Sequence, residues 1–152
     1  MGTDLFGAWQ RALNSHDGDS LAALMTDDGV YEVVATGSVF TQATVPLSVT
    51  TMHGMSSDFL VSLVSTLQDG DRYGVEWEVN GTNDGPIAYL GLPASGRRFK
   101  IRAAAIGLSQ GGKIKLHREY WDVAGFLAQL GVQPPPMVVF GLGSFSEEVS
   151  ED

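Results

Sequence analysis

Apolar side chains recur at helical spacing as soon as the chain begins. Leu5, Phe6, Ala8, Trp9, Ala12 and Leu13 fall on one stripe and predict a helix over 5–13. Asn14-Ser15-His16-Asp17-Gly18 breaks that pattern. Asp17 or Asp19 then suits the N-cap of a second short helix, with Leu21, Ala22, Leu24 and Met25 as its buried stripe and Asp27-Asp28-Gly29 as its stop. Residues 30–35 are a β-branched run that reads as a strand ending at Thr36-Gly37. The stretch 41–67 is mixed. Pro46 suits a first helical turn, and Val49, Met52, His53 and Met55 follow at near-helical spacing, although Gly54 weakens the pattern.

The second half alternates with period two and carries clear turns. Residues 61–67 and 73–80 flank Gln68-Asp69-Gly70-Asp71, a hairpin signal. A long loop over 81–96 follows. A strand over 98–108 is turned back by Gln110-Gly111-Gly112-Lys113 into another over 114–121. Asp122 is placed to cap a last helix over 123–130, closed by Gly131. Pro134-Pro135-Pro136 separates one domain, residues 1–133, from a Pro-rich, acidic tail over 134–152. Helices grouped ahead of a meander of strands predict an α+β fold, with helices covering one face of a curved, mostly antiparallel sheet.

Strand alternation locates the candidate chemistry. On the strand 114–121, His117, Glu119 and Trp121 share one face, and Leu116, Arg118 and Tyr120 the other. On its hairpin partner, Phe99, Ile101, Ala103 and Ala105 form the apolar face, and the two alanines leave room for a ligand. His117 and Glu119 join that inner face when the turn pairs residues whose numbers sum to an even value, and that pairing is expected here. A carboxylate and an imidazole in an apolar cavity form a general acid/base pair. The alternative for Glu119 is a solvent-facing partner of Arg118 or Arg102, and for His117 a structural histidine. Trp9, Tyr31, Phe40, Phe59, Trp77 and Trp121 are candidate pocket walls, with plain aromatic core as the alternative. His53 is a further candidate, set against core or surface placement.

Composition narrows the partners. The 152 residues are 43% apolar and 18% charged, contain no cysteine and carry a net charge of −9. Disulfides, thiolate metal sites and cysteine nucleophiles are excluded. The charge is uneven: residues 1–71 set nine acids against Arg11 alone, whereas 72–132 hold five acids and eight bases. An acidic chain without a dominant basic face argues against nucleic acid. Arg97, Arg98, Lys100 and Arg102 form the one basic cluster, read as a solvated strand face or a dimer edge. No apolar run nears the roughly 20 residues that span a bilayer. The opening Met1-Gly2-Thr3-Asp4-Leu5 does not read as a secretion signal, so a cytoplasmic location is expected. Histidines at 16, 53 and 117 lack metal-ligand spacing, so no metal and no cofactor are expected.

Several segments together resemble the SnoaL-like polyketide cyclases, a branch of the nuclear transport factor 2-like superfamily. They include Trp9 with Asn14-Ser15-His16-Asp17, Leu21 through Asp28, Val30-Tyr31-Glu32, Asp69-Gly70-Asp71-Arg72 and Val75-Glu76-Trp77. The resemblance is strongest at Gly91 through Arg97 and at Gly112-Lys113-Ile114 through Asp122, and it covers most of residues 5–132. It implies a cone-shaped α+β barrel with a pocket between helices and sheet, commonly dimeric, acting on a small polyketide-like molecule without a cofactor. It also implies an acidic base near the end of the last strand, either Glu119 or Asp122. Geometry favours Glu119, because Asp122 has a capping role. The family's usual Phe-Pro-Asp turn is replaced here by Met55-Ser56-Ser57-Asp58-Phe59, and its Gly-Thr-His-Thr-Gly by Gly81-Thr82-Asn83-Asp84-Gly85. The substrate therefore does not carry over. The expected activity is ring closure, by carboxylate acid/base catalysis of aldol type or by shape-driven cycloaddition. Epoxide opening and a non-catalytic binding module are the alternatives. The epoxide branch uses an Asp-Arg-Asp arrangement where this chain has Glu76-Trp77-Glu78-Val79-Asn80.

Overall fold

In the computed structural model, which describes residues 4–132, four helices and six strands follow one another. Their order is α1 (Leu5–Asn14), α2 (Gly18–Ala23), β1 (Met25–Val33), β2 (Ser38–Thr41), α3 (Pro46–Met55), β3 (Leu60–Asp69), β4 (Arg72–Thr82), β5 (Arg98–Gln110), β6 (Lys113–Trp121) and α4 (Val123–Gln129). The acidic tail and the Pro134-Pro135-Pro136 boundary lie outside the described residues. Asp4 caps α1 by accepting from the Gly7 N–H, and Asp17 caps α2 by accepting from Ser20. The predicted stripe of α1 is the face it buries, with Leu5, Trp9, Ala12 and Leu13 inward.

Two local readings need correction. Met25 belongs to β1 and not to the second helix, and Asp27-Asp28-Gly29 interrupts a strand instead of preceding one. Met25 pairs with Ile114 of β6, and the register shifts before Val30. Gly29 sits in that irregularity because a Cβ there would press on the carbonyl oxygens of Ile114 and Thr26, both at 2.9 Å. Ladder pairing thus overrode a local stop signal. The second correction is β2, which pattern reading left out of the strand list. With four residues at a sheet edge, it offers too short a period-two signal to stand out.

The six strands form one open sheet in the order β2-β1-β6-β5-β4-β3, antiparallel throughout except for the parallel pair β1–β6. The helices lie over its inner face. Asn14 clamps the end of α1 to β3, donating to the Val61 carbonyl at 2.9 Å and accepting from the Val61 N–H at 2.7 Å. The outer face carries the basic residues as solvated ion pairs: Lys100 and Arg102 with Glu78, and Arg118 with Glu32 at 2.7 Å.

The β5–β6 hairpin decides which side chains look inward. Gly111 and Gly112 both adopt positive φ (58° and 75°), giving a two-residue turn that pairs Gln110 with Lys113 and Ser109 with Ile114. Those pairs have odd sums, which corrects the even-sum turn expected from the sequence. Continued regularly, they would place Glu119 opposite Ala104 on the outer face. A bulge at Lys115 takes up one residue, so Leu108 faces Leu116, Gly107 faces His117, and Ala105 faces Glu119. Ile114 and His117, three residues apart, are therefore both fully buried.

Candidate active site

Between the sheet's inner face and the helices lies a cavity of about 270 Å³. Its sheet wall is Tyr31, Phe40, Trp77, Ala103, Glu119 and Trp121, and its helix wall includes Trp9 of α1 and Met52 and Met55 of α3. Phe59 closes one side after α3. Trp9 and Trp77 meet edge to face with centroids 4.9 Å apart, an arrangement that adds specific aromatic attraction to burial. Glu119 is the sole charged side chain among the described residues of this lining.

Glu119 is held by its neighbours. Its side chain is 14% exposed, and its Oε2 accepts a hydrogen bond from the Tyr31 hydroxyl at 3.0 Å. Oε2 also lies 3.7 Å from Nε2 of His117. His117 is fully buried and stands behind the cavity wall, not on it. Tyr31 stacks on its imidazole at a centroid distance of 4.3 Å, and Tyr73 meets Nδ1 at 2.9 Å. Burial, together with the Glu119 charge, pushes the Tyr31 phenol well above its ordinary value, and burial alone raises Tyr73. Tyr31 therefore stays a donor to the carboxylate over the whole neutral range.

That shift carries a stability prediction. The native state keeps these two phenol protons at a pH where the unfolded chain releases them. The stabilisation is whole below about pH 10, and it declines as pH rises beyond, with a slope of at most about 1.4 kcal/mol per pH unit for each tyrosine. Thermal midpoints measured from pH 8 to 11.5 should fall above pH 10, and Tyr31→Phe or Tyr73→Phe should flatten the fall. An unchanged slope in both variants contradicts the assignment.

Of the residues singled out in the sequence, the structure brings Trp9, Tyr31, Phe40, Phe59, Trp77, Ala103, Glu119 and Trp121 to the cavity. It does not bring His117, His53, Ala105 or Asp122 there. His53 is exposed at the end of α3, its ring packed on His16 with centroids 4.1 Å apart. Ala105 is buried under its neighbours one pair further along the hairpin, beside Glu119 in the ladder. Asp122 turns away as the N-cap of α4, accepting from the Gly125 N–H at 2.9 Å. Asp122→Ala should accordingly lower stability by about 1 kcal/mol in thermal denaturation and leave ligand turnover unchanged. A collapse of turnover in that variant would return Asp122 to the chemistry.

Pattern reading missed Tyr89, Thr51 and Ser48. Tyr89 sits on a short 3-10 turn (Ala88–Leu90) inside the long loop and reaches the cavity while half exposed. Nothing in a Gly/Pro-rich loop marks one aromatic as inward. Ser48 and Thr51 are polar positions on a helix whose cavity side is set by packing, and their hydroxyls also bond to backbone carbonyls of α3 or its N-cap.

Among the described residues no group of three or more histidines and carboxylates is placed to hold a metal, and no helix is long and apolar enough to cross a membrane. Solved structures place the fold. A protein of ketosteroid isomerase-like fold from Catenulispora acidiphila, crystallised with trimethylamine, superposes with a TM-score of 0.75 at 20% identity, covering 90% of this chain and 100% of that one. TsrD from Streptomyces laurentii gives 0.72 at 25% identity, covering 84% and 92%. IdmH from Streptomyces antibioticus, named as a candidate polyketide cyclase, gives 0.72 at 24%, covering 85% and 97%. No curated protein sequence matches the chain. The sequence profile of the SnoaL-like polyketide cyclases matches residues 3–130, and the chain belongs to that family.

Proposed function

We propose that the protein is a cofactor-independent cyclase in which Glu119 removes a proton α to a carbonyl of a neutral, polyketide-like substrate. One observation carries the reading: a single carboxylate, hydrogen-bonded by Tyr31, is the only charged side chain among the described lining residues of a pocket whose walls are mainly aromatic and apolar, with a few hydroxyls. The carboxylate takes the carbon-bound proton, and the C–H electron pair moves into an enolate. The enolate carbon attacks a second carbonyl of the folded substrate, forming the ring bond and leaving an alkoxide. Protonated Glu119 returns the proton to that alkoxide, so the enzyme ends as it began. Holding both carbonyls in one geometry supplies much of the acceleration by making the bond formation intramolecular.

Epoxide opening fits less well, since no aspartate or arginine is among the described residues of the pocket lining. The reading includes a homodimer built on the outer sheet face, where Ile106 and Tyr120 stand exposed; sedimentation at twice the chain mass tests that part. Proton abstraction is tested directly with a β-keto ester mimic in D2O, following loss of its α-proton signal by NMR. Saturable, protein-dependent exchange supports the base. Binding without exchange above buffer rejects the base and leaves shape-driven ring closure or a binding module.

A further inference from the structure

Tyr73 does not line the cavity, yet it reaches the group behind Glu119. The sheet register sets Tyr73 of β4, Gly107 of β5, His117 of β6 and Tyr31 of β1 in one row. Gly107 has no side chain, so the Tyr73 ring lies across it and meets His117 two strands away. A Cβ at Gly107 would collide with the Tyr73 hydroxyl end and with the Leu116 carbonyl oxygen. This close approach explains a glycine inside a central strand, where it otherwise weakens the ladder.

The hydrogen bonds made there assign a proton. The Tyr73 hydroxyl lies 3.0 Å from the Leu116 carbonyl oxygen and 2.9 Å from His117 Nδ1. It has one proton, and the carbonyl only accepts. If the phenol donated to Nδ1, two buried oxygens would face each other at 3.0 Å with no hydrogen between them. Both contacts are satisfied together only when Tyr73 donates to Leu116 and Nδ1–H donates to Tyr73. Nε2 is then the nitrogen open to a proton, and it is the one turned toward Glu119, 3.7 Å from Oε2. It has no hydrogen-bond partner of its own.

We infer that Tyr73, admitted by Gly107, is a positioning residue that holds His117 in its Nδ1–H tautomer, so that Nε2 serves as the proton reservoir for Glu119. The role within catalysis rests on the proposed carboxylate base. After Glu119 takes the substrate proton, that proton passes to Nε2, giving an imidazolium beside a restored carboxylate, and it comes back through Glu119 to the product alkoxide. The titratable groups set against the imidazole are Tyr31 on β1, Tyr73 on β4 and Glu119 on its own strand. The Trp9 and Trp77 rings, each centred 6.0 Å away, complete its surroundings.

Long-range 1H–15N NMR of the full chain reads the tautomer without any substrate, and the His117 signals are identified by their loss in His117→Gln. The wild type should give the Nδ1–H pattern. Tyr73→Phe keeps the ring and removes the hydroxyl; it should lose that pattern for Nε2–H or a mixture. Gly107→Ala presses on the Leu116 carbonyl as well as on Tyr73, so it should lose the Nδ1–H pattern together with thermal stability. An Nε2–H wild type, or an Nδ1–H pattern unchanged in Tyr73→Phe, overturns the inference. In the D2O exchange assay Tyr73→Phe should lower kcat by about tenfold with KM unchanged, the size of one lost hydrogen bond at a group that never touches substrate. A rise in KM with kcat intact counts against positioning. If the wild type shows no exchange, the base reading fails, while the tautomer measurement still decides the role of Tyr73.

Discussion

Glu119→Gln should lower turnover by about 10²–10⁴-fold, the usual contribution of a positioned general base. Glutamine keeps the length and shape of the side chain, and its amide oxygen still accepts from Tyr31. Packing and ligand affinity should therefore change little, and the loss should fall on kcat. The size of the effect follows from isolation. No second carboxylate lines the cavity among the described residues, and Asp122 is committed to the Gly125 N–H as a cap. Steady-state kinetics on a ring-closing substrate, with the D2O exchange assay beside it, measure both halves. Full turnover in Glu119→Gln removes proton abstraction from the mechanism and leaves closure by shape, as in a cycloaddition.

Trp9→Ala should lower stability by about 3–5 kcal/mol. Trp9 is fully buried on α1, packed edge to face on Trp77, with the His117 ring beyond. Its removal joins new void to an existing cavity, so neighbouring side chains cannot collapse inward to fill the gap. For a domain of this size each kcal/mol lowers Tm by roughly 2–4 °C, so calorimetry should record a drop of about 6–20 °C. Trp9→Phe should recover a good part of this, because the ring contact with Trp77 survives. A loss under about 1 kcal/mol in Trp9→Ala would mean that α1 is not anchored through this residue.

Much of the pocket is legible in the sequence alone. Apolar spacing at helical period marked the buried face of α1, and Trp9 with it. Period-two alternation on the last two strands grouped Glu119 with Trp121, and Phe99 with Ala103, on common faces. Capping chemistry separated Asp122 from Glu119, because an aspartate directly ahead of a short helix has a backbone N–H to satisfy. These readings succeed because each depends on neighbours within a few residues. The residues that escaped notice, Tyr73 and Tyr89 above all, owe their roles to partners more than ten residues away. Tyr73 reaches His117 across the two strand interfaces that flank β5. Tyr89 is brought to the cavity by a loop whose own sequence carries no inward signal.

The inward orientation of His117 and Glu119 marks the boundary between the two kinds of information. Local sequence dictates that these residues share a face, since the pleat alternates with period two. It does not dictate which face. The Gly111-Gly112 turn by itself calls for odd-sum pairs and would leave the carboxylate in solvent, and one bulged residue, Lys115, reverses that. What selects the bulge is burial. It puts Ile114, His117 and the Glu119 side chain under the helices and leaves Lys115 able to pair with Asp28 on the neighbouring strand. Helix stripes, turns, caps and the α+β class thus follow from local chemistry in the chain. Whether the two strands enclose the Glu119 carboxylate depends on a register that only the packed sheet resolves, because its free energy resides in contacts between segments far apart in sequence.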